Sequence, residues 1–254
     1  MSSDITRRDF LATATTGIAL AAMSESVRAN EYLEDDKPAT LTSAFAANYE
    51  LKPLPFDPAK LNGLSEKLIK SHWENNYGGS VKALNTVKQR LQGYLEDANI
   101  PPFMYNDLKR EHLLRTGSVI LHDLYFGNLG GTDKADANVT KLLAEAFGSS
   151  EIWEKEFKRI GAGLGGGSGW VVLGYNIYSG LLENYWQWDH AHAPSATLPI
   201  LVMDMYEHSY QMDFGAGAAA YIDAFMRNIH WQTVATRLEK AIKIRAVFTN
   251  GNIR

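Results

Sequence analysis

Pro101-Pro102 stands between two long stretches of helical periodicity, and it limits the fold more than any other feature of the sequence. Proline lacks an amide hydrogen and forces the residue before it out of helical geometry, so one continuous helix cannot pass through this point. Upstream, over residues 61–92, Leu64, Leu68, Ile69, Val81, Leu84, Val87 and Leu91 recur at three- and four-residue steps, as on one helix face, with Gly78-Gly79 as a weak point. Downstream, over residues 105–125, Leu108, Leu113, Leu114, Ile120, Leu121 and Leu124 mark the buried side of a second helix. Two long helices joined by a short break predict a hairpin. The preceding run Pro53-Leu54-Pro55-Phe56-Asp57-Pro58 must be extended.

After residue 137 the pattern changes. Two shorter helices, over residues 138–147 and 151–160 with Ser150 as the cap, lead into the glycine-dense residues 161–169. Trp170-Val171-Val172-Leu173, a turn at Tyr178-Ser179-Gly180, residues 181–188 and residues 198–203 have the β-branched and aromatic content of short buried strands. One final helix over residues 219–244 closes the chain. The expected fold is α+β: a long helical hairpin (residues 51–137), then a domain (residues 138–254) with a small three-stranded antiparallel sheet flanked by helices.

Composition narrows the chemistry. With no cysteine, disulfides, thiolate metal sites and a cysteine nucleophile are excluded, so a bound metal must use nitrogen and oxygen ligands. The formal charge of −4 and the lack of a basic tract argue against a nucleic-acid partner. Attention therefore falls on the seven histidines. His72 and His122 each sit inside one of the two long helices among apolar neighbours, where a buried histidine is the bland reading of either one alone. Asp204 and His208 leave the end of a buried strand four residues apart, and Trp188-Asp189-His190-Ala191-His192 places alternate histidines in a loop. Together His72, His122, Asp204 and His208 could supply three imidazole nitrogens and one carboxylate oxygen, a set suited to a redox-active first-row metal with an open position. A zinc hydrolase would be the competing metal reading, but there is no His-Glu-x-x-His helix, and no Glu-x-x-His to suggest a di-iron bundle. Gly167-Ser168-Gly169 lacks the spacing of a hydrolase elbow.

Over most of residues 51–240 the order of these features resembles the iron/manganese superoxide dismutases. The Leu-Pro-Phe-Asp segment, the helix with an internal histidine leading to Ala83-Leu84-Asn85, the second histidine-bearing helix, Gly167-Ser168-Gly169-Trp170 and Asp204-Met205-Tyr206-Glu207-His208 fall in family order. The last corresponds to the family's Asp-x-Trp-Glu-His, with Tyr206 in place of tryptophan. The resemblance implies that His72, His122, Asp204 and His208 hold one iron or manganese ion per subunit, iron narrowly preferred. The substrate it implies is superoxide, converted to oxygen and hydrogen peroxide by ping-pong redox. It also implies a homodimer, with a tetramer as the alternative, in which Glu207 reaches across the interface to the partner's ligand histidine. Trp170 and Tyr206 would surround the site.

The sequence departs from the family at several points. Ser118 replaces the glutamine four residues before His122, and Trp188-Asp189-His190 resembles members that use a loop histidine to hold the metal-bound solvent. That role is assigned to His190, with His192 as the substitute. Ser80, Asn76 and Gln211 replace a tyrosine, a histidine and another tyrosine, and the family's anion-attracting arginine is missing from residues 215–220. Asn76, Tyr77 and Gln211 are expected to rebuild a polar funnel. The alternatives are a metal-binding relative with little dismutase activity, and another redox reaction, such as a peroxidase-like one, at the same metal.

Residues 1–29 resemble a twin-arginine export signal: Arg7-Arg8, a modest apolar stretch over residues 11–23, and Val27-Arg28-Ala29 before the expected cleavage. The stretch is too short and too rich in Ala, Thr and Gly to span a bilayer, so no stable membrane insertion is expected after cleavage. Residues 30–50 read as a polar tether, and the expected location is the periplasm or another exported compartment.

Overall fold

A computed structural model describes residues 44–46 and 48–250. The twin-arginine segment and most of the tether lie outside the described residues. A 3-10 turn, Pro58–Lys60, ends the extended segment, and α1 (Glu66–Ser71) starts at Ser65, whose hydroxyl accepts the Leu68 amide. The upstream helix then widens into a π segment, His72–Tyr77, before continuing as α2 (Gly78–Glu96). The weak point predicted at Gly78-Gly79 is therefore the end of a π segment, with the Gly78 amide bonded five residues back to the Trp73 carbonyl. Such widenings recur at functional sites because they redirect side chains without ending the helix. Past the Pro101-Pro102 break, α3 (Pro102–Gly127) begins at the second proline, where a missing amide hydrogen costs nothing, and packs back on α2.

The second half contributes α4 (Ala137–Phe147), capped by Asp136, and α5 (Ser150–Leu164). The cap of α5 is Ser149, one residue earlier than expected, its side chain accepting the Ile152 amide. Three antiparallel strands follow, β1 (Trp170–Asn176), β2 (Leu182–Gln187) and β3 (Thr197–Asp204), in the order β2-β1-β3. The expected α+β fold is the observed one. β1 up to Tyr175 and the second half of β3 are buried, with α3, α5 and the last helix packed on the sheet. Beyond a 3-10 turn (Glu207–Ser209) and the short α6 (Gln211–Phe214), the predicted final helix is two: α7 (Ala218–Arg227) and α8 (Trp231–Asn250). The break falls where the buried Asn228 side chain receives the Asn62 amide and donates to the Asn62 carbonyl, while Ile229 bridges Leu129.

β3 is an edge strand, and its free edge is closed by side chains. The Asn128 amide, at the end of α3, accepts the Val202 N–H at 2.9 Å and donates to the Val202 carbonyl at 3.2 Å, imitating a fourth strand. Arg237 of α8 donates to the Ile200 carbonyl and to the Leu124 carbonyl on α3. Burial lowers the Arg237 guanidinium to about 10, which leaves it charged at neutral pH. The helix carrying His122 is thereby fixed to the strand carrying Asp204. Leu113 and Ile120, expected in the core, are exposed in the single chain: Leu113 precedes the buried stretch of α3, which runs from Ser118 to Phe126, and Ile120 points away from the packed face within it.

Candidate metal centre

The π segment opens with His72, α3 carries His122 on its buried face, β3 ends at Asp204, and His208 lies in the 3-10 turn four residues on. One ligand atom from each falls within 4.8 Å of all the others. Asp204 Oδ2 lies 3.1 Å from His72 Nε2, 3.2 Å from His208 Nε2 and 3.6 Å from His122 Nε2. The other carboxylate oxygen, Oδ1, accepts the Tyr206 amide at 2.8 Å, which aims Oδ2 at the imidazoles. His72, His122 and Asp204 are buried, and the His208 side chain is a quarter exposed.

Protonation states suit metal binding. His122 Nδ1–H donates to the Ser118 carbonyl at 2.7 Å, which puts the lone pair on Nε2. Burial lowers the His122 imidazole to about 3, with His72 adding to the effect, and burial likewise lowers His72. For Asp204, burial alone would raise the carboxyl, but His208 and His72 beside it hold it well below the usual carboxylate range. An anionic carboxylate beside the neutral, buried imidazoles of His72 and His122 is the arrangement a cation requires. Both ring nitrogens of His72 and Nε2 of His122 are buried without a hydrogen-bond partner. A buried polar atom left unpaired costs about 1–3 kcal/mol, and a metal drawing on the two Nε2 lone pairs removes that cost at those atoms. The residues present fit one iron or manganese ion with three nitrogen ligands and one oxygen ligand.

A pocket of about 460 Å³ adjoins the cluster, and His122 and His208 form part of its wall. His190 and Tyr206 line it too, their rings stacked at 4.6 Å, and Tyr206 also stacks on His208 at 5.2 Å. Trp170 Nε1–H donates to His190 Nδ1 at 3.0 Å. Burial lowers His190 to about 4, so the ring is neutral and its one proton sits on Nε2. Gly117 on α3 admits the loop that carries this histidine, because a Cβ there would overlap the His190 carbonyl oxygen. His192 takes no part in the pocket wall: it is exposed and paired with Asp189 and Trp188.

Asn76 lines the pocket as expected, together with Asn75. Gln211 does not: it lies exposed on α6, away from the pocket wall, because the chain turns outward after the 3-10 turn. Tyr77 is buried against His122, its ring stacked at 6.1 Å, and also stands outside the wall. Ser80 and Ser118 meet through their hydroxyls at 2.8 Å, and Ser118 Oγ lies 3.2 Å from His122 Nδ1. Two small residues that read as losses in the sequence thus form a buried polar pair between the long helices. Glu207 is exposed in the single chain. Sequence reasoning overlooked Arg115, which lines the pocket. Its signal was available: 115, 118 and 122 are spaced i, i+3, i+7 on one face of α3.

Residues 135–237 match the family model described as iron/manganese superoxide dismutases, C-terminal domain. A superoxide dismutase of the Fe type from Cupriavidus metallidurans is 54% identical over 195 residues, covering 77% of this chain and 98% of the relative. The chain belongs to the iron/manganese superoxide dismutase family. An Fe-type superoxide dismutase from Aquifex aeolicus is 34% identical over 193 residues, covering 73% of this chain and 89% of its own. A Mn-type superoxide dismutase from Haloferax volcanii is 31% identical over 203 residues, covering 78% of this chain and 98% of its own. Iron and manganese relatives both occur at this distance, as the nitrogen and oxygen donor set allows.

Proposed function

We propose that this chain is a superoxide dismutase acting at a single iron or manganese ion held by His72, His122, Asp204 and His208. The observation that carries the assignment is the convergence of these four ligand atoms, with buried imidazole nitrogens that no protein group satisfies. The reaction is 2 O₂•⁻ + 2 H⁺ → O₂ + H₂O₂. When bound, the metal supplies the one-electron exchange, accepting an electron from one superoxide and returning it to the next.

The chain's own residues supply orientation and protons. Ser118 and Asp204 fix the ligand atoms, the first through its carbonyl and the second through its bond to the Tyr206 amide. Neutral His190, oriented by Trp170, holds an N–H available to an oxygen anion in the pocket. Asn75, Asn76 and the Ser80 and Ser118 hydroxyls make a polar wall along which water can carry the two protons the reaction consumes. Tyr206 is pushed up to about 12 by burial and the nearby Asp204 charge, so it stays protonated at neutral pH.

Three finer points belong to the same reading. Iron is the preferred metal, supported by the identity to the Cupriavidus relative. The working form is a homodimer, supported by the exposed Glu207 immediately before a ligand histidine. The enzyme is exported through a twin-arginine signal cleaved near Ala29, supported by Arg7-Arg8 and the short apolar stretch behind it; the folded state in which that route carries its cargo allows metal loading before export. Among the described residues, no helix is long and apolar enough to cross a membrane. The test is elemental analysis of purified protein joined to a superoxide-consumption assay. One iron or manganese per chain with activity, and loss of both in His122→Ala, is expected. Bound metal without activity overturns the functional assignment.

A further inference from the structure

Superoxide is a small monoanion, and the chain that must receive it carries a net charge of −4. An anionic protein collects an anion efficiently only where local charge opposes its overall field. No carboxylate lines the pocket. Arg115 is the one permanently charged side chain among the lining residues.

The placement of Arg115 is suited to guiding an anion inward. It stands on α3 seven residues before His122, two helical turns or about 10 Å along the axis, and shares a helix face with Ser118 and His122. The three residues all line the pocket, in the order cation, hydroxyl, imidazole. Its side chain is 34% exposed, so the charge stands at the boundary between solvent and pocket. Glu111, one turn back and outside the pocket wall, accepts a hydrogen bond from Arg115 Nε at 2.6 Å. That bond anchors the guanidinium through Nε and leaves the two terminal nitrogens to face an incoming anion.

We propose that Arg115 is the steering cation of this enzyme, drawing superoxide into the pocket and restoring from α3 the charge that residues 215–220 lack. This rests on the reading of the chain as a superoxide dismutase. Glu111 acts as the positioning partner that holds the guanidinium at the pocket rim.

The test uses the full metal-loaded protein, with stopped-flow or pulse-radiolysis kinetics across ionic strength and a parallel titration with azide, a small stable monoanion, read from the optical spectrum of the metal. Arg115→Gln should lower kcat/KM about 5-fold at low salt. The loss should shrink toward high salt as screening removes the wild-type advantage. The metal content should be unchanged, and Arg115→Lys should restore most of the rate. Azide affinity should weaken by a similar factor, and Glu111→Gln should steepen the salt dependence. A rate loss that is the same at every ionic strength, or that lysine does not restore, overturns the proposal. So does an azide affinity indifferent to Arg115→Gln. If the wild-type protein consumes no superoxide yet its azide affinity depends on Arg115, the dismutase assignment fails while the anion-collecting role of Arg115 stands.

Discussion

Asn128→Ala removes the side chain that closes the free edge of β3, and its cost can be worked from the hydrogen bonds it makes. The residue is fully buried. Its amide satisfies both the N–H and the carbonyl of Val202, itself buried in the sheet, and adds a bond to the Tyr125 carbonyl at 2.9 Å. The Tyr125 carbonyl keeps the Asn128 backbone amide as a partner, so that loss is small. Val202 keeps nothing on that edge. Two buried backbone groups without partners cost about 1–3 kcal/mol each, so the substitution should destabilise the fold by about 2–6 kcal/mol. Urea unfolding of the metal-free protein, followed by circular dichroism, measures this if the slope of the transition is unchanged. Because Asn128 also ties the His122 helix to the Asp204 strand, metal should be lost to a chelator faster than from wild type. A destabilisation below about 1 kcal/mol, with normal metal retention, would show that water or Arg237 replaces the amide and refute the reasoning.

Other outcomes follow from the same geometry. In the metal-free protein, His122 has a folded-state value of about 3 against about 6.5 when unfolded. The unfolded chain therefore binds more protons between those values, and stability is present above about pH 6.5 and lost as the pH falls toward 3, by at most roughly 5 kcal/mol from this residue. Urea midpoints measured from pH 7 to pH 4 should fall; a flat profile would contradict it. His190→Ala should retain the metal, since the ring is no ligand, yet lower turnover by roughly 10-fold or more through loss of an N–H donor; elemental analysis beside the kinetic assay separates the two effects, and unchanged turnover would remove His190 from the mechanism. Gly117→Ala should displace the His190 loop and lower activity with little change in metal content, and a wild-type rate would show that the loop yields freely.

Much of the architecture was legible because local signals and tertiary structure agree. Pro101-Pro102 marks the hairpin, and the strands stand out by β-branched content. The break between α7 and α8 was hidden, since Ile229 continues an apolar pattern and the bonds that stop the helix come from Asn62, 166 residues away in sequence. The four residues of the metal cluster are separated along the chain by up to 136 positions, and no periodicity joins them. The family's order of motifs made them readable as a set, and the fold brings them together. Gln211 illustrates the opposite case, because a register counted along the sequence does not reveal that the chain turns outward at α6. Arg115 was harder still: its spacing from Glu111 is that of an ordinary solvated helix pair, and only the pocket distinguishes it.

The central claim is that His72, His122, Asp204 and His208 hold one redox metal. Anomalous diffraction collected on either side of the iron and manganese absorption edges tests it directly. The account predicts a single strong peak per chain, bonded to those four side chains and assignable to iron or manganese. Zinc at that position, a peak elsewhere, or no peak in crystals of protein that consumes superoxide would contradict it.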